Sequence, residues 1–165
     1  EFIENKKFSL DIEIIKDGKK ILNTGGGILN MIKNSEDHDF IIFNPDTLWN
    51  KDHIPEIRKM NDFYFSNNLN NILLLAEKKK SFDTNLKGDF NLTNNQLKKN
   101  GDENFIYIGC QILNRNLFKK YEICNFPISE IWNELLKKNN LNGFESLNKF
   151  YHLTNLATFK KLEDL

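Results

Sequence analysis

The chain has 165 residues, with 23 Lys and Arg set against 23 Asp and Glu. That length gives one domain with a real core and is too short for two ordinary ones, so residues 1–165 read as a single domain. A net charge of zero argues against a dedicated nucleic-acid binder, which is usually basic on one face. No apolar run approaches the roughly 20 residues of a membrane span, and no signal-peptide pattern opens the chain, so a cytoplasmic protein is expected. Cys110 and Cys124 show no metal-ligand spacing and are expected as free thiols.

Along the chain, Ser9 to Ile15 alternates polar and apolar residues, with Leu10, Ile12 and Ile14 on one face. It predicts a half-buried strand closed by an Asp17-Gly18 turn. The glycine triplet Gly25, Gly26 and Gly27 predicts a tight turn, and the spacing of Ile28, Leu29 and Ile32 predicts a short helix after it. Asp39 to Asn44 is a short β-branched and aromatic run, the pattern of a buried strand in a parallel sheet. An amphipathic helix follows on Ile57, Met60 and Tyr64, then a buried strand from Asn71 to Glu77. Gly88 to Lys99 predicts a polar hairpin turning at Asn94-Asn95. A strand over Asn104 to Leu113 and a helix over Ile128 to Lys137 come next. Leu141 to Ser146 and Phe150 to Leu153 read as short strands, and Asn155 as the cap of a closing helix. Strands alternating with helices predict α/β layering on a mostly parallel sheet.

The chemistry gathers between Leu22 and Trp49. Glycines without Cβ atoms let a flat base or a ribose lie against the backbone. Asn44, Pro45 and Asp46 fall just past the carboxyl end of a predicted strand, where open α/β sheets bind ligands. A hard carboxylate oxygen at Asp46 suits a Mg²⁺ that carries nucleotide phosphates; the bland alternative is an aspartate capping the next turn.

Four segments in order, Thr24-Gly25-Gly26-Gly27-Ile28, Asn44-Pro45-Asp46-Thr47-Leu48-Trp49, Gly88-Asp89-Phe90 and Tyr107-Ile108-Gly109-Cys110-Gln111-Ile112-Leu113, resemble the sugar-phosphate nucleotidyltransferases, or NDP-sugar pyrophosphorylases. The likeness is to the small bacterial N-acetylmuramate-1-phosphate uridylyltransferase and mannose-1-phosphate guanylyltransferase types. It implies a three-layer, Rossmann-like nucleotidyltransferase fold. The implied reaction joins UTP or GTP to a sugar 1-phosphate with Mg²⁺ and releases pyrophosphate, with no nucleic-acid or membrane partner. In-line transfer of this kind asks for placement and charge neutralisation rather than a protein nucleophile.

By resemblance Asp46 is the catalytic metal ligand, and Thr24, Gly25, Gly26 and Asn44 line the nucleotide. Asp89 and Gly109 fall on the sugar side, although a solvated hairpin aspartate and a β-bulge explain them as well. His152 stands where members with Asp use a second metal ligand, and it reads either as that ligand or as a satisfied core histidine. Gln111 reads as structural, Glu130 as an exposed helix residue, and Lys78, Lys79 and Lys80 as a solvated face. Two family features are missing. The Gly-x-Gly-Thr-Arg loop with its later Pro-Lys, which holds the triphosphate and normally opens the protein, is not found. The close at Phe150 to Leu156 lacks Gly-Thr-Pro. The expectation is therefore a fold truncated at its N-terminus. The alternative function is a catalytically inactive module that binds a sugar nucleotide or a protein partner.

Overall fold

The computed structural model describes residues 2–3, 5–6 and 8–163. Its centre is a four-stranded sheet in the order β1-β5-β2-β6, built from β1 (Asp39–Phe43), β2 (Asn71–Glu77), β5 (Phe105–Asn114) and β6 (Gly143–Ser146). β1, β2 and β6 run the same way, and β5 runs against them. β5 therefore pairs antiparallel with both neighbours, while β2 and β6 pair in parallel. A small hairpin, β3 (Asn91–Thr93) and β4 (Gln96–Lys98), turns through Asn94 and Asn95. Both asparagines have positive φ, 49° and 60°, as the predicted tight turn requires.

Helices cover both faces, which makes the three layers. β2 sends Leu73 and Leu75 into one core with Ile28, Leu29 and Ile32 of α1 (Asn23–Lys33) and Ile131 and Leu135 of α3 (Ser129–Lys137). It sends Ile72, Leu74 and Ala76 into a second core, against Met60 and Tyr64 of α2 (His53–Ser66). A strand buried on both sides has no polar alternation to show, hence the continuous run Ile72 to Ala76. The closing helix α4 (Leu156–Glu163) starts as expected, with the amide N–H of Thr158 donating to Asn155 Oδ1 at 2.9 Å.

Four expectations about local structure need correction. β1 is not a buried strand paired in parallel: it lies at the sheet edge, pairs antiparallel with β5 and leaves Ile41 and Phe43 exposed. Residues 9–15 form no strand: Phe8, Leu10, Ile12 and Ile14 all stay exposed and the segment pairs with nothing in the sheet. Residues 150–153 make only two isolated bridges, Ser81 with Phe150 and Thr47 with His152. The glycine triplet is not a turn; it lies within α1, and none of the three glycines has a positive φ.

Candidate functional site

A cavity of about 480 Å³ opens at the carboxyl end of β1. One wall is α1, which contributes Asn23, Thr24, Gly27, Ile28 and Met31. The second is the end of β1, Ile42 to Asn44, together with Tyr107 and Gln111 of β5. The third is the start of α3, with Pro127, Ser129 and Trp132, and the segment carrying Ile15 and Asp17 closes the rim.

The glycines explain why α1 sits where it does. A Cβ on Gly26 would lie 2.0 Å from the carbonyl oxygen of Cys124, and one on Gly25 would lie 2.4 Å from the Phe126 ring. The loop before α3 therefore packs directly on the helix backbone. It also uses that backbone: the amide N–H groups of Gly25 and Gly26 donate to the Phe126 carbonyl at 2.9 and 3.1 Å. Thr24 Oγ1 accepts from the amide of Ile128 at 3.0 Å, tying α1 to α3. Of the three glycines only Gly27 faces the cavity, and a Cβ there would meet nothing nearer than the Asp17 carboxylate at 3.9 Å.

Of the residues expected around a nucleotide, the structure thus brings Thr24 and Asn44 to the cavity and turns Gly25 and Gly26 to the protein. Gly27, which belonged to the glycine triplet expected to admit a base or ribose but not to the residues expected to line the nucleotide, and Trp132, which carried no functional expectation, take their place. Gly27 was adjacent in the triplet, and helical phase alone separates it from Gly25 and Gly26. Trp132 stands edge-on to Tyr107 at 5.0 Å and donates its indole N–H to Gln111 Oε1 at 3.1 Å. The walls are apolar and aromatic with a few amides and hydroxyls, and among the described residues no Lys or Arg lines the space.

Asp46 and His152 form a second cluster, beyond the end of β1. Asp46 Oδ2 lies 3.2 Å from His152 Nε2. The side chain of Asp46 is half-exposed, yet its Oδ1 is shielded and has no hydrogen-bond partner among the described residues; nor has His152 Nδ1, nor the hydroxyl of Tyr107. Tyr107 links the two clusters, since its ring lines the cavity. Its hydroxyl is held above the usual tyrosine range by burial, then by the negative charge that Cys110 and Asp46 would place near it. Burial also pushes the Cys110 thiol up to about 12, so it is inert rather than nucleophilic.

Gly109 and Asp89 have structural work. Between the pairs Leu73–Gln111 and Leu75–Tyr107 the strand β5 carries extra residues, a bulge. Gly109 sits in it with φ +87°, where a Cβ would meet Thr47 Oγ1 at 2.7 Å. The bulge points its carbonyl at β1, where Asn44 N–H donates to it at 2.7 Å. Asp89 Oδ2 accepts from the amide of Tyr107 at 2.9 Å; burial raises its carboxyl above the ordinary range, and that hydrogen bond opposes the rise. Neither residue lines the cavity.

Among the described residues no group of three or more His, Cys, Asp and Glu side chains converges on one point. Asp46 and His152 nevertheless fit a divalent cation as a pair. Asp46 Oδ2 and His152 Nε2 touch at 3.2 Å, close to the roughly 3.0 Å between two donors at right angles around an ion with bonds of about 2.1 Å, so an ion there would replace their direct contact; Asp46 Oδ1, the other oxygen, is a shielded acceptor with no partner among the described residues. The remaining positions would fall to water and substrate phosphates, as is usual for Mg²⁺. Among the described residues no helix is long and apolar enough to cross a membrane.

No protein-family model and no curated protein matches the chain. Solved structures do. HddC from Yersinia pseudotuberculosis, complexed with GMP-PN, superposes with a TM-score of 0.63 at 18% identity over 87% of this chain and 62% of that one. UDP-glucose pyrophosphorylase complexed with UDP-glucose gives 0.63 at 17%, over 88% and 62%. The inositol-1-phosphate CTP transferase from T. maritima gives 0.63 at 9%, over 83% and 58%. The chain therefore has the Rossmann-like nucleotidyltransferase fold, and it spans about three-fifths of the length of the proteins that share it.

Proposed function

We propose that the chain is part of a sugar-1-phosphate nucleotidyltransferase and holds the uncharged end of a nucleotide or nucleotide sugar beside a metal site. The observation that carries the reading is the cavity at the carboxyl end of β1, with Asp46 just beyond it carrying a shielded oxygen that none of the described residues satisfies. That is where open α/β sheets place their ligands.

The cavity suits a neutral ring. Among the described residues no cation stands on its walls, and the first free amides of α1, which would otherwise attract a phosphate, are spent on Phe126. A base or sugar ring slides between the Gly27 face and the Tyr107–Trp132 pair, with the Asn44 amide within the same space. Phosphate charge then falls toward Asp46, outside the apolar walls. Asp46 and His152 would hold a divalent ion, Mg²⁺ in the simplest case, and that ion supplies the charge neutralisation that phosphoryl transfer needs. Asp46 holds and orients; the attacking oxygen comes from the sugar 1-phosphate, so no protein nucleophile is required. The family likeness adds UTP or GTP as the donor.

Trp132 gives a direct test. Titration with UTP, GTP and their sugar diphosphates should quench its fluorescence saturably, and Gly27→Val, which fills the cavity, should abolish the change. Pyrophosphate release by the gene product, assayed with UTP or GTP and a panel of sugar 1-phosphates beside Asp46→Ala, tests catalysis. An inactive binding module is the second reading, favoured by the lack of any Lys or Arg among the described residues of the cavity walls. Quenching by a sugar nucleotide with no pyrophosphate release from any pair would establish it. No quenching by any nucleotide would sink both.

A further inference from the structure

From the donor atoms at the end of β1 we infer that the cation site prefers a first-row transition ion, Mn²⁺ or Co²⁺, over Mg²⁺. This preference presupposes Asp46 as a metal ligand, as proposed above, and concerns what His152 does to that site.

The two side chains offer one carboxylate oxygen and one imidazole nitrogen, 3.2 Å apart. A carboxylate suits Mg²⁺ and the transition ions alike, whereas an imidazole nitrogen is a poor ligand for hard Mg²⁺ and a good one for softer ions, whose affinity for mixed nitrogen and oxygen sites rises along the first row. The pairing is built into the backbone rather than left to chance rotamers. Thr47 and His152 form an isolated antiparallel bridge, and Leu153 N–H donates to the Asp46 carbonyl at 2.8 Å. The His152 ring is packed 5.8 Å from Phe150, which limits how far it can swing away. Its Nδ1 has no acceptor among the described residues, so none of them strengthens it as a ligand. The ion would therefore bind weakly on its own and be completed by substrate phosphates, which leaves the choice of ion resting heavily on Nε2.

The test is Mn²⁺ added to the ¹⁵N-labelled chain, followed by paramagnetic broadening of the amide signals of Asp46, Thr47, His152 and Leu153, and then competition with Mg²⁺. Those four signals should broaden first, and Mg²⁺ should restore them only at about tenfold or greater excess. His152→Asp should bring the two ions within about threefold of each other, and Asp46→Asn should remove the broadening. Unchanged amide positions elsewhere in each variant show that it is folded. Restoration by Mg²⁺ at parity, or an unchanged preference in His152→Asp, overturns the inference while leaving Asp46 as a cation ligand. Absence of broadening at these amides overturns the cation site itself, and the Trp132 titration then decides separately whether the cavity binds a nucleotide.

Discussion

Two neighbouring glycine-to-alanine changes in α1 should move stability in opposite directions. Within a helix, Gly→Ala ordinarily stabilises by about 0.5 to 1 kcal/mol, because glycine loses more backbone freedom on folding. Gly27→Ala should show that gain, since the added methyl meets nothing closer than 3.9 Å. Gly26→Ala cannot. Its methyl would lie 2.0 Å from the Cys124 carbonyl oxygen, which is backbone and has no rotamer to retreat into. Overpacking of this kind costs roughly 1 to 3 kcal/mol. Pushing the loop away also weakens the two N–H donations to the Phe126 carbonyl, each worth about 1 kcal/mol. After the propensity gain is subtracted, a net loss of about 2 to 3 kcal/mol remains, or roughly 4 to 12 °C in melting temperature for a domain of this size. Urea unfolding of the two variants beside the native chain is the assay. Because Gly27 lines the cavity, Gly27→Ala should at the same time weaken the ligand-induced quenching of Trp132. A Gly26→Ala chain as stable as the native one would refute the packing of residues 124–126 on α1, and with it the shape of the cavity.

Three further outcomes are expected. Gly109→Ala combines a positive φ with a clash against Thr47, so it should destabilise by about 2 kcal/mol in chemical denaturation and disturb the Asp46 loop, read as shifted Thr47 and Leu48 amides. Asp89→Asn keeps an acceptor for the Tyr107 amide and removes a carboxylate whose burial raises its pKa. Below the ordinary carboxylate range both folded and unfolded chains carry the proton; as pH rises from there through the raised folded value the unfolded chain releases it first, so the native chain loses stability across that window. The variant should therefore be the more stable at pH 8, with the difference shrinking as pH falls; a gap independent of pH would contradict the assignment. Among the described residues no strand pairs with the outer edge of β1, and its Ile41 and Phe43 are 44% and 48% exposed, an invitation to edge-to-edge association. Ile41→Lys should shift light-scattering mass toward the monomer, and a native chain that stays monomeric at high concentration would argue that the edge is harmless.

Much of the fold was legible because central strands and amphipathic helices leave strong marks. β2, buried on both faces, reads as one apolar run, and α3 presents Ile131 and Leu135 to the core at helical spacing. Direction leaves no such mark. The reversed run of β5 depends on which neighbours it finds, and its apolar content is the same either way. Residues 9–15 show the converse failure: alternation tells which side chains share a face, but a strand also needs a partner backbone, and none is placed beside this one. The triplet Gly25 to Gly27 was ambiguous for a different reason. Glycine permits a turn and equally permits a close approach, and only the position of Cys124 and Phe126, about a hundred residues away, selects the second.

The same distinction runs through the site. The backbone around Asp46 is held from two sides, by the bulge of β5 and by residues 151–153. Asn44 donates to the Gly109 carbonyl, Thr47 Oγ1 donates to the Ile108 carbonyl at 2.9 Å, and Leu48 and Leu153 close the other flank through Tyr151 and Asp46. Gly109 therefore matters to Asp46 without touching a ligand, because only a glycine bulge turns that carbonyl toward Asn44. A loop that needed nothing beyond a turn would spend its aspartate on a nearby amide, as Asp83 does with Asn85. Asp46 instead has a fixed backbone and a shielded oxygen left unpaired among the described residues, free for a group outside the chain to complete. Sequence position nominates Asp46; the oxygen left unpaired among the described residues is what favours the proposed ligand role over a cap.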